Sequence, residues 1–72
     1  MVKRGKIYTI LGQIVTDRYS HGNWYGTAVR EYGGFGRIMV DVKVTEAKDP
    51  RAIGRTITVD LRDIWTKEEM ER

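Results

Sequence analysis

The sequence predicts an all-β fold, a small antiparallel barrel of four to five strands that ends in a short helical turn. Short segments alternate apolar and polar residues, glycines separate them, and no long segment repeats with helical spacing. The clearest alternation lies between residues 37 and 45, where every second side chain is apolar: Ile38, Val40, Val42 and Val44. One face of this strand is therefore expected to be buried and the other to be exposed to solvent.

The length and composition of the chain limit what it can be. The 72 residues have room for a single domain, residues 1–72, with a thin hydrophobic core. The chain contains no cysteine, so disulfides and thiolate metal sites are excluded, and no cofactor or metal is expected. No segment has the length and hydrophobicity of a signal peptide core or a membrane span, which favours a soluble cytoplasmic protein.

The first half of the chain predicts two strands joined by a turn. Residues 6–17 are rich in β-branched and aromatic residues and predict one long strand that bends at Gly12. Residues 18–23 combine Ser, His, Gly and Asn, which is typical of a turn. The strand at 24–31 places Trp24, Gly26, Ala28 and Arg30 on one face and Tyr25, Thr27, Val29 and Glu31 on the other. The two faces are chemically similar, so the sequence does not decide which one is buried, although the small residues suggest close packing on the Trp24 side.

The second half predicts two further strands and a helical tail. A hairpin turn about Gly33-Gly34 leads into the strand at 37–46, and a loop with the only proline follows at 47–55. Residues 56–61 alternate again, with their apolar residues predicted to face inward: Ile57, Val59 and Leu61. A turn at 62–65 places Ile64 and Trp65 against the core, and Thr66 with Glu69 forms a capping box for a short helical tail, residues 66–72.

Two segments resemble a known group of small β modules. Residues 19–29, Tyr-Ser-His-Gly-Asn-Trp-Tyr-Gly-Thr-Ala-Val, resemble the entry to the second strand of Tudor and related SH3-like modules. Residues 59–65, Val-Asp-Leu-Arg-Asp-Ile-Trp, are similar to the last strand and short turn of such barrels. The resemblance implies an SH3-like barrel, and the strand spacing leaves a five-stranded oligonucleotide-binding barrel as the second choice.

The same resemblance implies a possible aromatic cage. In Tudor domains, aromatic side chains near these loops surround a methylated lysine or arginine, which cation–π attraction stabilises. The residues that would serve here are Tyr19, Trp24, Tyr25, Tyr32 and Phe35.

The formal net charge of +3 is unevenly distributed along the chain. Residues 1–38 carry six basic and two acidic side chains, whereas residues 39–72 carry seven basic and eight acidic ones. This asymmetry favours a partner with many negative charges. The candidate nucleic-acid-binding residues are Lys3, Arg4, Lys6, Arg18, Arg30 and Arg37, of which Lys3 and Arg4 belong to a basic arm, residues 1–5. A hairpin about Gly33-Gly34 would bring Arg30 and Arg37 together, with Glu31 or a phosphate between them.

The sequence offers little for catalysis. His21 is the only histidine, so no nucleophile–base pair can be assembled, and Asp60 and Asp63 are interpreted as solvated or turn-capping carboxylates. The sequence therefore predicts a non-enzymatic binding or regulatory module that contacts nucleic acid. The alternative is an adaptor or inhibitor that binds a partner protein through exposed aromatic residues, Tyr19, Tyr25, Tyr32 and Phe35.

Overall fold

A computed structural model describes residues 9–20 and 22–71 of the chain. These residues form five antiparallel strands in one sheet, followed by one short helix. The elements are β1 (Ile14–Asp17), β2 (Trp24–Gly34), β3 (Arg37–Ala47), β4 (Thr56–Asp60), β5 (Ile64–Thr66) and α1 (Lys67–Met70). The all-β prediction, with its short C-terminal helical turn, is confirmed.

The strands lie in the order β4-β3-β2-β1-β5, so the last strand returns to pair with the first. Single-turn 3-10 helices, Pro50–Ala52 and Leu61–Asp63, join β3 to β4 and β4 to β5. Within the described residues, β4 and β5 occupy the two edges of the sheet, and backbone hydrogen bonds do not close it into a barrel.

The hydrophobic core lies on one face of this sheet. Its buried residues are Ile10, Val15, Ala28, Val40, Val42, Leu61 and Ile64. The partly buried Trp24, Ile38, Ile57 and Val59 pack against them, and β4 contributes only side chains of this second kind. Val44 is also buried, so the inward side of β3 is the one that its alternation predicts. The predicted inward face of β4 is likewise confirmed, and Trp65 is only partly buried.

Close packing between β2 and β3 depends on Gly26. This glycine and Ala28 are buried, as their small size predicts. A Cβ atom at position 26 would lie 2.5 Å from Cγ1 of Val42 and 2.6 Å from the carbonyl oxygen of Lys43. Both distances are shorter than real Cβ atoms tolerate, so only glycine allows the two strands to approach this closely.

The single long strand predicted for residues 6–17 is wrong in its described part, because β1 begins only at Ile14. A turn at Gly12 interrupts the extended chain: its φ is +79°, and its N–H donates to the carbonyl of Ala28 at 2.7 Å. A residue with positive φ does not continue a strand. The bend at Gly12 is thus confirmed, but it separates the buried Ile10 from β1. Residues 6–8 and the arm at 1–5 lie outside the described residues.

The turn predicted for residues 18–23 is present in its described part. The Oδ1 atom of Asp17 accepts hydrogen bonds from the N–H groups of Tyr19 at 2.7 Å and Ser20 at 2.9 Å. A carboxylate that satisfies the next two or three backbone N–H groups fixes a tight turn. The chain therefore reverses after β1 and enters β2.

The helix α1 begins with the predicted capping box. Thr66 Oγ1 accepts from the N–H of Glu69 at 3.3 Å, and the Glu69 carboxylate accepts from the N–H of Thr66 at 2.9 Å. The helix is four residues long, and Arg72 of the predicted tail lies outside the described residues. In the described part of the chain, no helix is long and apolar enough to cross a membrane.

Replacing Gly26 with alanine is expected to destabilise the protein by about 1–3 kcal/mol, because the added methyl group would force β2 and β3 apart. Urea denaturation followed by circular dichroism measures this loss. Gly34→Ala is the matched control, since a Cβ there meets no atom within 4 Å and its φ is not positive. Equal stability of the two variants would contradict the close approach.

Candidate functional site

A bulge at Val29 decides which side chains of β2 reach solvent. Ala28 pairs with Val42 and Arg30 pairs with Asp41, so Val29 has no partner on β3. An extra residue in one strand reverses the alternation of faces beyond it. The expectation that Arg30 shares a face with Ala28 is therefore wrong: Arg30 lies on the opposite, outer face of the sheet.

The same bulge turns Glu31 toward the core side, opposite the buried Val40. There its Oε1 atom accepts a hydrogen bond from the backbone N–H of Ile10 and another from Thr9 Oγ1 at 3.1 Å. These bonds hold the segment before β1 against β2. Glu31 is consequently not the acid that was expected to lie between Arg30 and Arg37.

The outer face of β2, β3 and β4 carries a connected polar cluster. The Oδ1 atom of Asp41 accepts hydrogen bonds from the hydroxyls of Thr58 at 2.7 Å and Tyr32 at 3.2 Å. The guanidinium carbon of Arg30 lies 4.9 Å from the centre of the Tyr32 ring, which is a cation–π distance. We call the surface formed by Arg30, Tyr32, Arg37, Asp41, Lys43 and Thr58 the outer face.

Arg30 and Arg37 share the outer face but do not lie opposite each other on β2 and β3. Arg30 stands opposite Asp41, whereas Arg37 stands opposite Gly34, so four residues of β3 separate their positions. At about 3.3 Å per residue this is roughly 13 Å along the strand. The predicted hairpin, which would pair Arg30 with Arg37 across the two strands, is therefore wrong. Among the described residues, no acidic side chain forms a salt bridge with either arginine.

The expected contact fails because the hairpin turns two residues later than predicted. The turn residues are Phe35 and Gly36, with φ of 53° and 76°, and Gly34 pairs with Arg37 across the loop. Two positive φ values are the mark of the tight hairpin turn that matches strand twist. Phe35 is an unusual choice there, and its side chain is fully exposed, at 108% of the reference area.

The five candidate aromatic residues do not form one cage. Trp24 packs against the core, and Tyr32 lies eight residues further along β2 on the outer face. Phe35 occupies the hairpin tip, and Tyr19 is 73% exposed in the turn after β1. Tyr25 is half-buried and contributes to a shallow groove with Ile14, Thr45, Glu46 and Lys67.

The remaining candidate basic residues lie away from the outer face or outside the described residues. The Arg18 N–H donates to the carbonyl of Asp63 at 2.7 Å, and its guanidinium carbon lies 5.8 Å from the centre of the Trp65 ring. Its Nε atom is buried without a hydrogen-bond partner among the described residues. Arg18 thus supports the junction of β1 with β5. Lys3, Arg4 and Lys6 fall outside the described residues.

A repeated Asp-x-Arg arrangement begins both 3-10 turns, and sequence reasoning missed the salt bridges it makes. Asp60 accepts from the backbone N–H of Arg62 at 2.9 Å and forms a salt bridge with its guanidinium at 3.4 Å. In the same way, Asp49 accepts from the backbone N–H of Arg51 at 3.0 Å and forms a salt bridge with the Arg51 guanidinium at 3.1 Å. The predicted turn-capping role of Asp60 is confirmed. The signal in the sequence is an acid two residues before an arginine in the connections that follow β3 and β4.

The positive charge of Arg37, on the outer face, also acts on Asp60 at the end of β4. The backbone hydrogen bond from Arg62 lowers the pKa of Asp60 below its usual value, and the side-chain bond from Arg62 and the attraction of Arg37 act in the same direction. The Asp60 side chain is only 12% exposed. Arg37 therefore contributes positive potential at the end of β4, although it makes no direct ion pair with Asp60.

No protein-family model, curated protein sequence or solved structure matches this chain. The resemblance to Tudor modules therefore stays a prediction. Among residues 9–20 and 22–71, no group of three histidine, aspartate or glutamate side chains is placed to hold a metal ion.

Asp60→Asn is expected to lower stability at pH 7, by less than about 1 kcal/mol, and to have a smaller effect near pH 2.5. The folded pKa of Asp60 is depressed, so its ionised form stabilises the fold above the unfolded pKa of about 3.8 and loses that effect as pH falls. Urea unfolding at both pH values measures the difference. Asp49→Asn is the control, because its exposed carboxylate should contribute less to stability. The assignment would be contradicted if Asp60→Asn lowered stability equally at pH 2.5 and pH 7, or if the two variants lowered it equally at pH 7.

Proposed function

We propose that this chain is a small, non-enzymatic binding module whose outer face contacts the phosphate backbone of a nucleic acid. The observation that carries the proposal is the stack of Arg30 on Tyr32. A guanidinium that lies on an aromatic ring keeps its N–H edge available for an anion. The stack also limits the rotamers of Arg30, so less side-chain entropy is lost when a phosphate binds.

The charge balance of the outer face supports the same proposal. Arg30, Arg37 and Lys43 are exposed, and the register places all three on the outer side of β2 and β3. Asp41 also lies there, but the hydroxyls of Tyr32 and Thr58 bind its Oδ1 atom. Positive groups spaced along a strand suit a polymer of phosphates better than a single small anion, because each contact releases counterions.

We also infer that the sheet is an incompletely closed SH3-like barrel. The return of β5 to pair with β1 and the 3-10 turn Leu61–Asp63 between β4 and β5 support this inference. In the described residues the strand order leaves β4 and β5 unpaired with each other. Such modules bind many unrelated partners, so the barrel itself does not select the function.

A second candidate is a protein-interaction module, favoured by an exposed apolar patch beside β1. Leu11 is 52% exposed and Val29 is 51% exposed. The hydrogen bond from Gly12 N–H to the Ala28 carbonyl holds their two segments together. Exposed apolar side chains that adjoin one another are common at protein interfaces. An adaptor or inhibitor would use this patch rather than the outer face.

The double variant Arg30→Ala/Arg37→Ala is expected to bind nucleic acid at least about tenfold more weakly at low salt and to reduce the salt dependence of log K by about 2. Fluorescence anisotropy with labelled duplex DNA and single-stranded RNA, from 20 to about 200 mM salt, measures both effects. Both effects are expected because the double variant loses two contacts with phosphates.

The matched control is Arg51→Ala/Arg55→Ala, which removes the same charge from the connection between β3 and β4, where both side chains are exposed. Similar weakening by both double variants would contradict a role for the outer face. Absence of binding by the natural sequence at low salt would contradict the nucleic-acid proposal. Leu11→Asn tests the second candidate, because it removes exposed apolar surface without adding charge or changing the bulge, and it should therefore weaken a protein complex and leave nucleic-acid binding unchanged.

A further inference from the structure

The tip of the β2–β3 hairpin combines two features that rarely occur at one residue. Phe35 has a φ of 53°, and its side chain has no cover from the described residues. Tight hairpin turns with two positive φ values prefer Asn, Asp or Gly at the first position, because a bulky side chain is strained there. A large apolar ring in water at a strained position contributes nothing to this fold.

Strained backbone conformations cluster at functional sites, and among the described residues the exposed Phe35 ring makes no contact that would stabilise the fold. We therefore ask which partner the ring could contact. The neighbours of Phe35 indicate the chemistry of that partner. Arg37 follows two residues later and is exposed, and Arg30 and Tyr32 lie on β2 of the same hairpin. The tip therefore presents an aromatic ring beside cations, which suits a ligand with both flat faces and negative charges.

We propose that the Phe35 ring stacks on an unpaired base of single-stranded nucleic acid while Arg37 and Arg30 contact its phosphates. This inference rests on the proposed function and adds that the substrate is single-stranded. Aromatic stacking tolerates every base, since all bases have a π face, and it requires a base that is free of its own duplex stack. In a duplex, the phosphates stay accessible to the arginines but the base faces do not.

The flanking glycines fit the same role. Gly36 has a φ of 76°, and a Cβ at Gly34 or Gly36 would meet no atom within 4 Å. Space around Phe35 is therefore open on both sides of the tip. A base can approach the ring without displacing a protein side chain in the described residues, so the stacking surface is already formed in the free protein.

The test compares binding of labelled dT20 and a 20-base-pair duplex by the full chain and by its Phe35→Asn variant, using about 20 mM salt. Phe35→Asn should weaken dT20 binding about 5- to 100-fold and change duplex binding less than twofold. The same substitution should raise the melting temperature, since Asn-Gly is a preferred pair for this turn. Phe35→Trp should retain dT20 binding, and Ile53→Asn, at an exposed apolar residue in another loop, should change neither affinity.

The outcomes separate the two proposals. Equal loss on both ligands, or unchanged dT20 binding by Phe35→Asn, would overturn single-strand stacking while phosphate binding by the outer face stands. Tighter binding of the duplex than of dT20 by the natural sequence would also overturn single-strand stacking. No binding of either ligand would overturn the proposed function and this inference together. A lower melting temperature for Phe35→Asn would overturn the premise that Phe35 occupies a position better suited to Asn.

Discussion

The register of the β2–β3 hairpin is the constraint on which the rest of the structure depends. It is fixed at three points: the tight turn at Phe35-Gly36, the bulge at Val29 and the close approach at Gly26. A shift of one residue would move every side chain of β2 to the other face. Arg30 would then point into an apolar core, where an unpaired charge is strongly disfavoured.

The bulge links the core to the outer face. Before Val29, β2 presents small buried residues, which let β3 pack closely. Beyond it, the inward position belongs to Glu31, whose carboxylate binds the backbone N–H of Ile10 rather than joining the apolar core. The inward Glu31 thus holds the chain before β1 in place, and the outward Arg30 becomes free to stack on Tyr32. One extra residue therefore serves both stability and the candidate binding surface.

Small domains have thin cores, so their connections must be well fixed by polar contacts. Here, aspartates do this at three places: Asp17 after β1, Asp49 after β3 and Asp60 after β4. Each carboxylate accepts from backbone N–H groups that a tight turn leaves unpaired. These contacts set the directions in which β2, β4 and β5 start. Arg30 and Arg37, by contrast, form no salt bridge with an acidic side chain among the described residues.

The sequence predicts the fold well where alternation is regular and poorly where a single residue interrupts it. The strand β3, the inward face of β4 and the capping box at Thr66 follow from local spacing, and the structure has all three. The β2 bulge leaves no local signal, because Val29 suits a regular strand as well as a bulge. The hairpin turn was predicted at Gly33-Gly34 since glycine tolerates positive φ most readily, and a phenylalanine in that conformation is not what local preferences favour.

That misplacement also explains why the candidate site differs from the predicted one. With the turn at Phe35-Gly36, Arg37 moves to the hairpin tip and Arg30 moves beside Tyr32 and Asp41. Two arginines that would have faced each other across one pair of strands instead occupy backbone positions roughly 13 Å apart along one face. Separate cations of this kind need no acid between them to be tolerated, and they match successive phosphates of an extended chain better than a single anion. The position of one turn therefore decides whether the two arginines lie opposite each other or are spaced along the face that we propose binds a polyanion.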